Sequence, residues 1–211
     1  MKVLLSTLAA TICFASTTSA FAAGADPLVT IQKKWAVCQY ESKDSDNQIY
    51  CLENLIKRNE EALKQEPNRQ ELKVWLAINK SSLAGADGGL GALSLVKEAK
   101  ALLEQVIDKA PETLNGSAFT SLGSLYYKVP GWPIGFGNDE MAEKMLRKAL
   151  EINPDGIDPN YFYADFLAQD GRKKEAIQYL TKAQKAPPRA DRPLADQGRQ
   201  QEIAKLLGEL Q

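Results

Sequence analysis

The sequence contains no histidine. That removes the commonest general base and the commonest nitrogen ligand for a metal. It also excludes Ser-His-Asp and Cys-His nucleophile arrangements. Cysteine is scarce, three in 211 residues, and a two-cysteine zinc site without histidine would need carboxylates to complete it. An excess of one charge is lacking too. The 26 Lys and Arg stand against 27 Asp and Glu, a net charge of −1, and nothing in that balance points to nucleic acid or an anionic membrane surface. Beyond the opening segment no stretch is apolar enough to cross a bilayer. Most acids neighbour a Lys or Arg at helical spacing, as in KEAK and EMAEKMLRK, and read as solvated pairs rather than paired catalytic carboxylates. Together these absences predict a chain that is not an enzyme and uses no cofactor or metal.

What is present begins with an address. Residues 1–22 carry one charge, Lys2, then a mostly apolar run from Val3 to Ala15, then small residues ending in Ala20-Phe21-Ala22. This is the pattern of a cleaved signal peptide of bacterial type, and it predicts a periplasmic or secreted product starting at Ala23. Ile12 before Cys13 argues against a lipoprotein signal. Cys38 and Cys51 then remain. An even count in an oxidising compartment predicts a disulfide between them; the alternative is two buried free thiols on facing helices.

From residue 23 to 211 the chain reads as one all-α domain. Helices are expected over 29–41, 49–65, from 69 and over 93–109, with Pro67 and Pro111 ending two of them. GADGGLG (85–91) reads as a connection. Four glycines in seven positions oppose a helix interior, and with no following Lys-Ser/Thr and no preceding strand the run matches neither phosphate-binding fingerprint. Asp158-Pro159 reads as a helix start and Gly171 as a turn. Ile203, Leu206, Leu207 and Leu210 form the apolar face of a last helix that would cover the end of the stack. Between Pro130 and Gly137 lies a stiff loop bearing Trp132 and Phe136. Trp132 and Ile134 are expected to fold down and plug the gap between helices; the competing reading makes Trp132 and Phe136 an exposed anchor for a partner. Asn138 or Asp139 should cap the helix that follows.

Internal repetition organises the rest. Phe119, Leu122, Gly123 and Tyr126, followed by Ala142, Leu146, Ala149 and Pro154, stand at the spacing of a helical hairpin in which small residues let two helices approach. Tyr163, Ala164, Leu167, then Ala176, Leu180, Ala183 and Pro188, repeat it. Trp35-Ala36 and Trp75-Leu76-Ala77 echo it, with Gln39 and Lys80 where an aromatic or Leu is usual. These residues resemble the tetratricopeptide repeat. The resemblance implies an α-solenoid of about four hairpins (29–67, 69–111, 115–154 and 157–188) with a C-terminal capping helix over 199–210. Loops lengthen the period beyond the plain repeat of about 34 residues. The long loops, the exported address and the GFGNDEMAEKMLRKAL segment are also similar to the helical periplasmic component of TRAP transporters.

The repeat resemblance further implies a concave groove lined by the first helix of each hairpin, taking a protein or peptide. Carried over, its positions are Lys33, Val37 and Tyr40, then Val74 and Ile78, then Thr120, Ser124 and Tyr127, then Tyr161 and Asp165. The transporter resemblance implies instead a small apolar ligand and a role in solute uptake. In either case the tyrosines could simply pack between helices.

Overall fold

The computed structural model describes residues 26–89 and 91–211; the predicted signal peptide over 1–22 lies outside them. The described residues form nine helices and no strand: α1 Pro27–Tyr40, α2 Ser45–Gln65, α3 Gln70–Asp87, α4 Ala92–Lys109, α5 Ser117–Lys128, α6 Asp139–Ile152, α7 Ile157–Gln169, α8 Lys173–Gln184 and α9 Pro193–Leu210.

Local chemistry sets the boundaries. The Asp26 carboxylate accepts from the Leu28 N–H, and Pro27 opens α1. Asp44 does the same for α2 through Asn47, and Asn138 for α6 through Met141. The Gly-rich run stays helical to Asp87, and Gly88, in the left-handed region at φ 61°, ends α3. At the α7 end Gly171 takes φ 78°, and the Arg172 N–H reaches back to the Leu167 carbonyl.

The helices pair as hairpins, α1 with α2, α3 with α4, α5 with α6 and α7 with α8. Each hairpin buries small residues where its helices meet. Gly123 shows why: a Cβ there would sit 2.7 Å from Leu146 Cγ, so α5 and α6 approach too closely for any side chain. Leu52, Leu72, Leu103, Leu146, Leu167 and Leu180 are fully buried along the stack. Each contributes about 1.5–3 kcal/mol of transfer free energy. A disulfide joins Cys38 of α1 to Cys51 of α2, with their Cα atoms 5.5 Å apart. The polar departures from the repeat pattern have partners. Lys80, only 8% exposed, bridges Glu60 of α2 (3.1 Å) and Glu98 of α4 (2.8 Å).

The last helix differs from the expectation of a simple end cap. It does bury Ile203 against Ile157, Ala164, Leu180 and Ala183 of the final hairpin. It also starts earlier than expected, with Pro193 in its first turn, and carries Gly198 in its interior. Along this length it packs against α1 at the opposite end of the stack. The inner helices α1, α3, α5, α7 and α9 therefore each touch the next, and α9 returns to α1. The groove is closed into a ring.

The loop between α5 and α6 also departs from the expected plug. Trp132 is 89% exposed and Ile134 67% exposed. Phe136 turns in instead and meets Tyr126 edge to face at 5.8 Å. With that position filled, Trp132 has no gap to occupy.

Candidate functional site

The ring surrounds an open-mouthed chamber of about 1250 Å³. Its wall is built from all five inner helices. Gln32, Trp35, Gln39 and Tyr40 come from α1, and Trp75, Ile78, Ser81 and Ser82 from α3. Thr120, Ser121, Ser124 and Lys128 come from α5, Tyr161 and Phe162 from α7, and Arg199 and Glu202 from α9. The loop before α9 adds Arg189 and Arg192, and α4 adds Leu93 and Val96.

The wall has two characters. One side is aromatic and apolar. Trp35 meets Trp75 edge to face at 5.7 Å and Tyr40 at 5.8 Å, and its indole N–H donates to the Ser82 hydroxyl at 2.9 Å. Burial pushes the Tyr40 hydroxyl up to about 12, so it stays neutral. The other side is ionic. Asp158 opens α7 and accepts from Arg189 at 2.6 Å and from Arg199 at 3.0 Å. Burial opposes the Asp158 charge, but the positive charges of Arg199, Arg189 and, beyond ion-pair distance, Arg192 outweigh it and hold the carboxyl well below the usual carboxylate range. Arg199, 7% exposed, also pairs with Glu202 and lies over the rings of Tyr161 and Phe162, at 4.4 and 4.6 Å. This cluster ties α7 to α9. Arg192 lies over Trp75 at 4.9 Å.

Of the groove positions carried over from the repeat, Tyr40, Ile78, Thr120, Ser124 and Tyr161 line the chamber. Val74 is wholly buried in the core between α3 and its neighbours. Lys33 is exposed and Val37 half-buried, and neither is on the chamber wall. The reason is a difference in phase. In α3 and α5 the residue after the small one, Ile78 or Ser124, faces the chamber, whereas α1 presents Gln39 and Tyr40 instead of Val37. Tyr127 and Asp165 lie off the wall, bonded to each other across α5 and α7 at 2.7 Å. Burial opposes the Asp165 charge, but Lys128, at 3.0 Å, and the Tyr127 hydroxyl hold its pKa low.

Sequence reasoning missed the chamber roles of Trp35, Trp75, Asp158 and the three arginines. The tryptophans were visible as neighbours of the small residues Ala36 and Ala77. The arginines were not, because Arg189 and Arg192 belong to the link before α9 and Arg199 to α9 itself, and neither carries a repeat phase. Among the described residues no group of three or more His, Cys, Asp or Glu is arranged to hold a metal ion, and no helix is long and apolar enough to cross a membrane.

Residues 134–155 and 157–189 match the tetratricopeptide repeat model, over α6 and over the α7–α8 hairpin. Over those residues the chain carries tetratricopeptide repeats, within an all-helical solenoid. Among solved structures, the crystal structure of a thermophilic TPR protein from Thermus thermophilus is similar at 19% identity. The match covers 85% of this chain and 98% of that one, with a TM-score of 0.38. No curated protein sequence matches the chain.

Proposed function

We propose that this is an exported, non-catalytic binding protein that holds a small amphipathic molecule in its chamber, as an accessory of solute uptake in the periplasm. The observation that carries the reading is the contact between α9 and α1. An open repeat groove admits a peptide from the side along its whole length. A groove closed into a ring admits a compact ligand, while a peptide must thread. The volume of about 1250 Å³ and the pairing of apolar with polar wall suit such a ligand. Cys38–Cys51 supports an oxidising compartment, and the lack of histidine supports binding without chemistry. Native mass spectrometry of protein gently purified from its own host is expected to show a bound small molecule. The molecule should be absent from Ser121→Trp, which fills the chamber from α5. A clean apo mass together with no thermal shift across a panel of amphiphiles would refute the reading.

A second reading is favoured by the Trp132 loop. Trp132 and Ile134 are large apolar side chains exposed on a proline-stiffened segment, and Ile134 and Pro130 also reach the chamber wall. A protein partner seated there would contact a ligand mouth as well as the scaffold. Crosslinking in the host periplasm should recover one specific protein that Trp132→Ser releases. Equal recovery with the variant would count against this surface.

A further inference from the structure

We infer that the molecule held in the chamber is a carboxylate-bearing amphiphile, its carboxylate bound by Arg192 and its apolar body lying along Trp35, Trp75 and Ile78, an inference that rests on the small-molecule reading above.

The argument is one of charges already spoken for. Four cationic residues line the chamber: Lys128, Arg189, Arg192 and Arg199. Lys128 pairs with Asp165. Arg189 and Arg199 divide the two oxygens of Asp158. Both oxygens of Asp196 accept from Arg189, one from its side chain and one from its backbone N–H, each at 2.6 Å. Arg199 takes Glu202 as well. Among the described residues, Arg192 is left as the one chamber cation with no carboxylate in ion-pair distance. Its neighbour Asp191 is exposed and also lines the chamber, but among the described residues pairs with no cation within ion-pair distance. The Nε–H of Arg192 is buried without an acceptor, and so is the indole N–H of the Trp75 beneath it. An N–H donor removed from water without an acceptor is costly, and a ring face beside it offsets only part of that cost. An anion in the chamber supplies the rest.

The geometry selects the anion. A guanidinium is a planar fork that matches a carboxylate with two parallel hydrogen bonds. A phosphate monoester would bring close to two charges to a place with one open cation. The adjoining wall is aromatic and apolar, so the remainder of the ligand is hydrocarbon-like. A short polar acid would leave that wall uncovered.

The test is isothermal titration calorimetry of the mature chain with octanoate, 1-octanol and acetate. Octanoate is expected to bind about tenfold more tightly than 1-octanol, the size of one charge-assisted contact, and acetate to show no measurable binding. Arg192→Met should remove the preference for octanoate while 1-octanol binds as before, which also shows that the variant is folded. If Arg192→Met loses 1-octanol binding, Arg192→Lys decides: a retained preference supports the inference and equal binding overturns it. Equal binding of octanoate and 1-octanol by the unaltered protein, or an octanoate preference that survives in Arg192→Met, overturns the carboxylate site and leaves the chamber reading standing. Binding of neither probe overturns both.

Discussion

Replacing Gly198 with alanine probes the contact that closes the ring. A Cβ at this position would lie 2.5 Å from three ring carbons of Tyr40, over the face of the ring. Carbon atoms rest at about 3.5–4.0 Å, so α9 and α1 would have to part by about 1 Å, or the Tyr40 ring would have to leave Trp35. Overpacking of this kind costs about 1–3 kcal/mol. Glycine to alanine in a helix interior returns about 1 kcal/mol of propensity. The net expectation is a loss of about 1 kcal/mol, or about 2–4 °C in Tm for a chain of this size. In a Tyr40→Ala background the obstructing ring is gone, and the same substitution should raise stability by the propensity gain of about 1 kcal/mol. The coupling between the two positions is then about 2 kcal/mol, within the range for side chains in contact. Urea melts of the four proteins followed by far-UV circular dichroism measure it. If Gly198→Ala stabilises the parent as it does the Tyr40→Ala variant, α9 does not press on α1 and the ring is open.

Three further outcomes are expected. Cys38→Ser/Cys51→Ser should lower stability by about 3 kcal/mol, the cost of releasing a short loop in the unfolded chain, and reductant should then have no further effect on its urea midpoint. Glu143 of α6 accepts from Arg147, Tyr163 and Arg172. Burial opposes its charge, but those three bonds bring its pKa from the usual 4.5 down to about 2. Its stabilising contribution is thus whole above the ordinary value and lost as pH falls through about 2. The Tm gap between the parent and Glu143→Gln should close over that window, and a gap that widens toward acid would refute it. Asp158→Asn strips the carboxylate shared by Arg189 and Arg199 and should cost about 3 kcal/mol, with α9 losing hydrogen-exchange protection before α3; uniform loss across both helices would argue against this linkage.

The repeat itself was legible because its signals are local. Gly123 and Ala164 stand where helices touch, Asn138 caps α6 as its side chain allows, and Gly171 ends α7 in the left-handed region. Ile78, Thr120, Ser124 and Tyr161 fall on the chamber wall because spacing places them beside the small residues of α3, α5 and α7, but only α5 presents both positions: Val74 of α3 is buried in the core and Asp165 of α7 lies off the wall. The phase of α1 was not legible. It is set by contacts with both α3 and α9, and α9 lies more than 150 residues away in sequence. Trp132 was misplaced by the same logic. Composition marks it as a large apolar side chain, but only the packing of Phe136 on Tyr126 shows that the gap is taken.

Closure of the ring follows from features that have no place in the repeat. The apolar stripe of α9 accounts for its cover of the final hairpin through Ile203, and on that stripe alone the helix could end there. Its N-terminal half carries Ala195, Gly198 and Arg199: a small side chain, none at all, and a charged one. The glycine admits the Tyr40 ring of α1, Ala195 joins the core cluster of Trp35 and Trp75, and Arg199 is drawn to Asp158 and the Tyr161 ring. The Gly198 and Ala195 contacts carry α9 across the groove to α1, while Arg199 holds it to α7. They also line the chamber with ions that would be costly in a mere end cap. A helix needed only to shield an apolar end would be served by leucine at Arg199. A buried arginine network there, with Arg192 beside it outside ion-pair distance of any carboxylate among the described residues, is what the proposed carboxylate ligand would require.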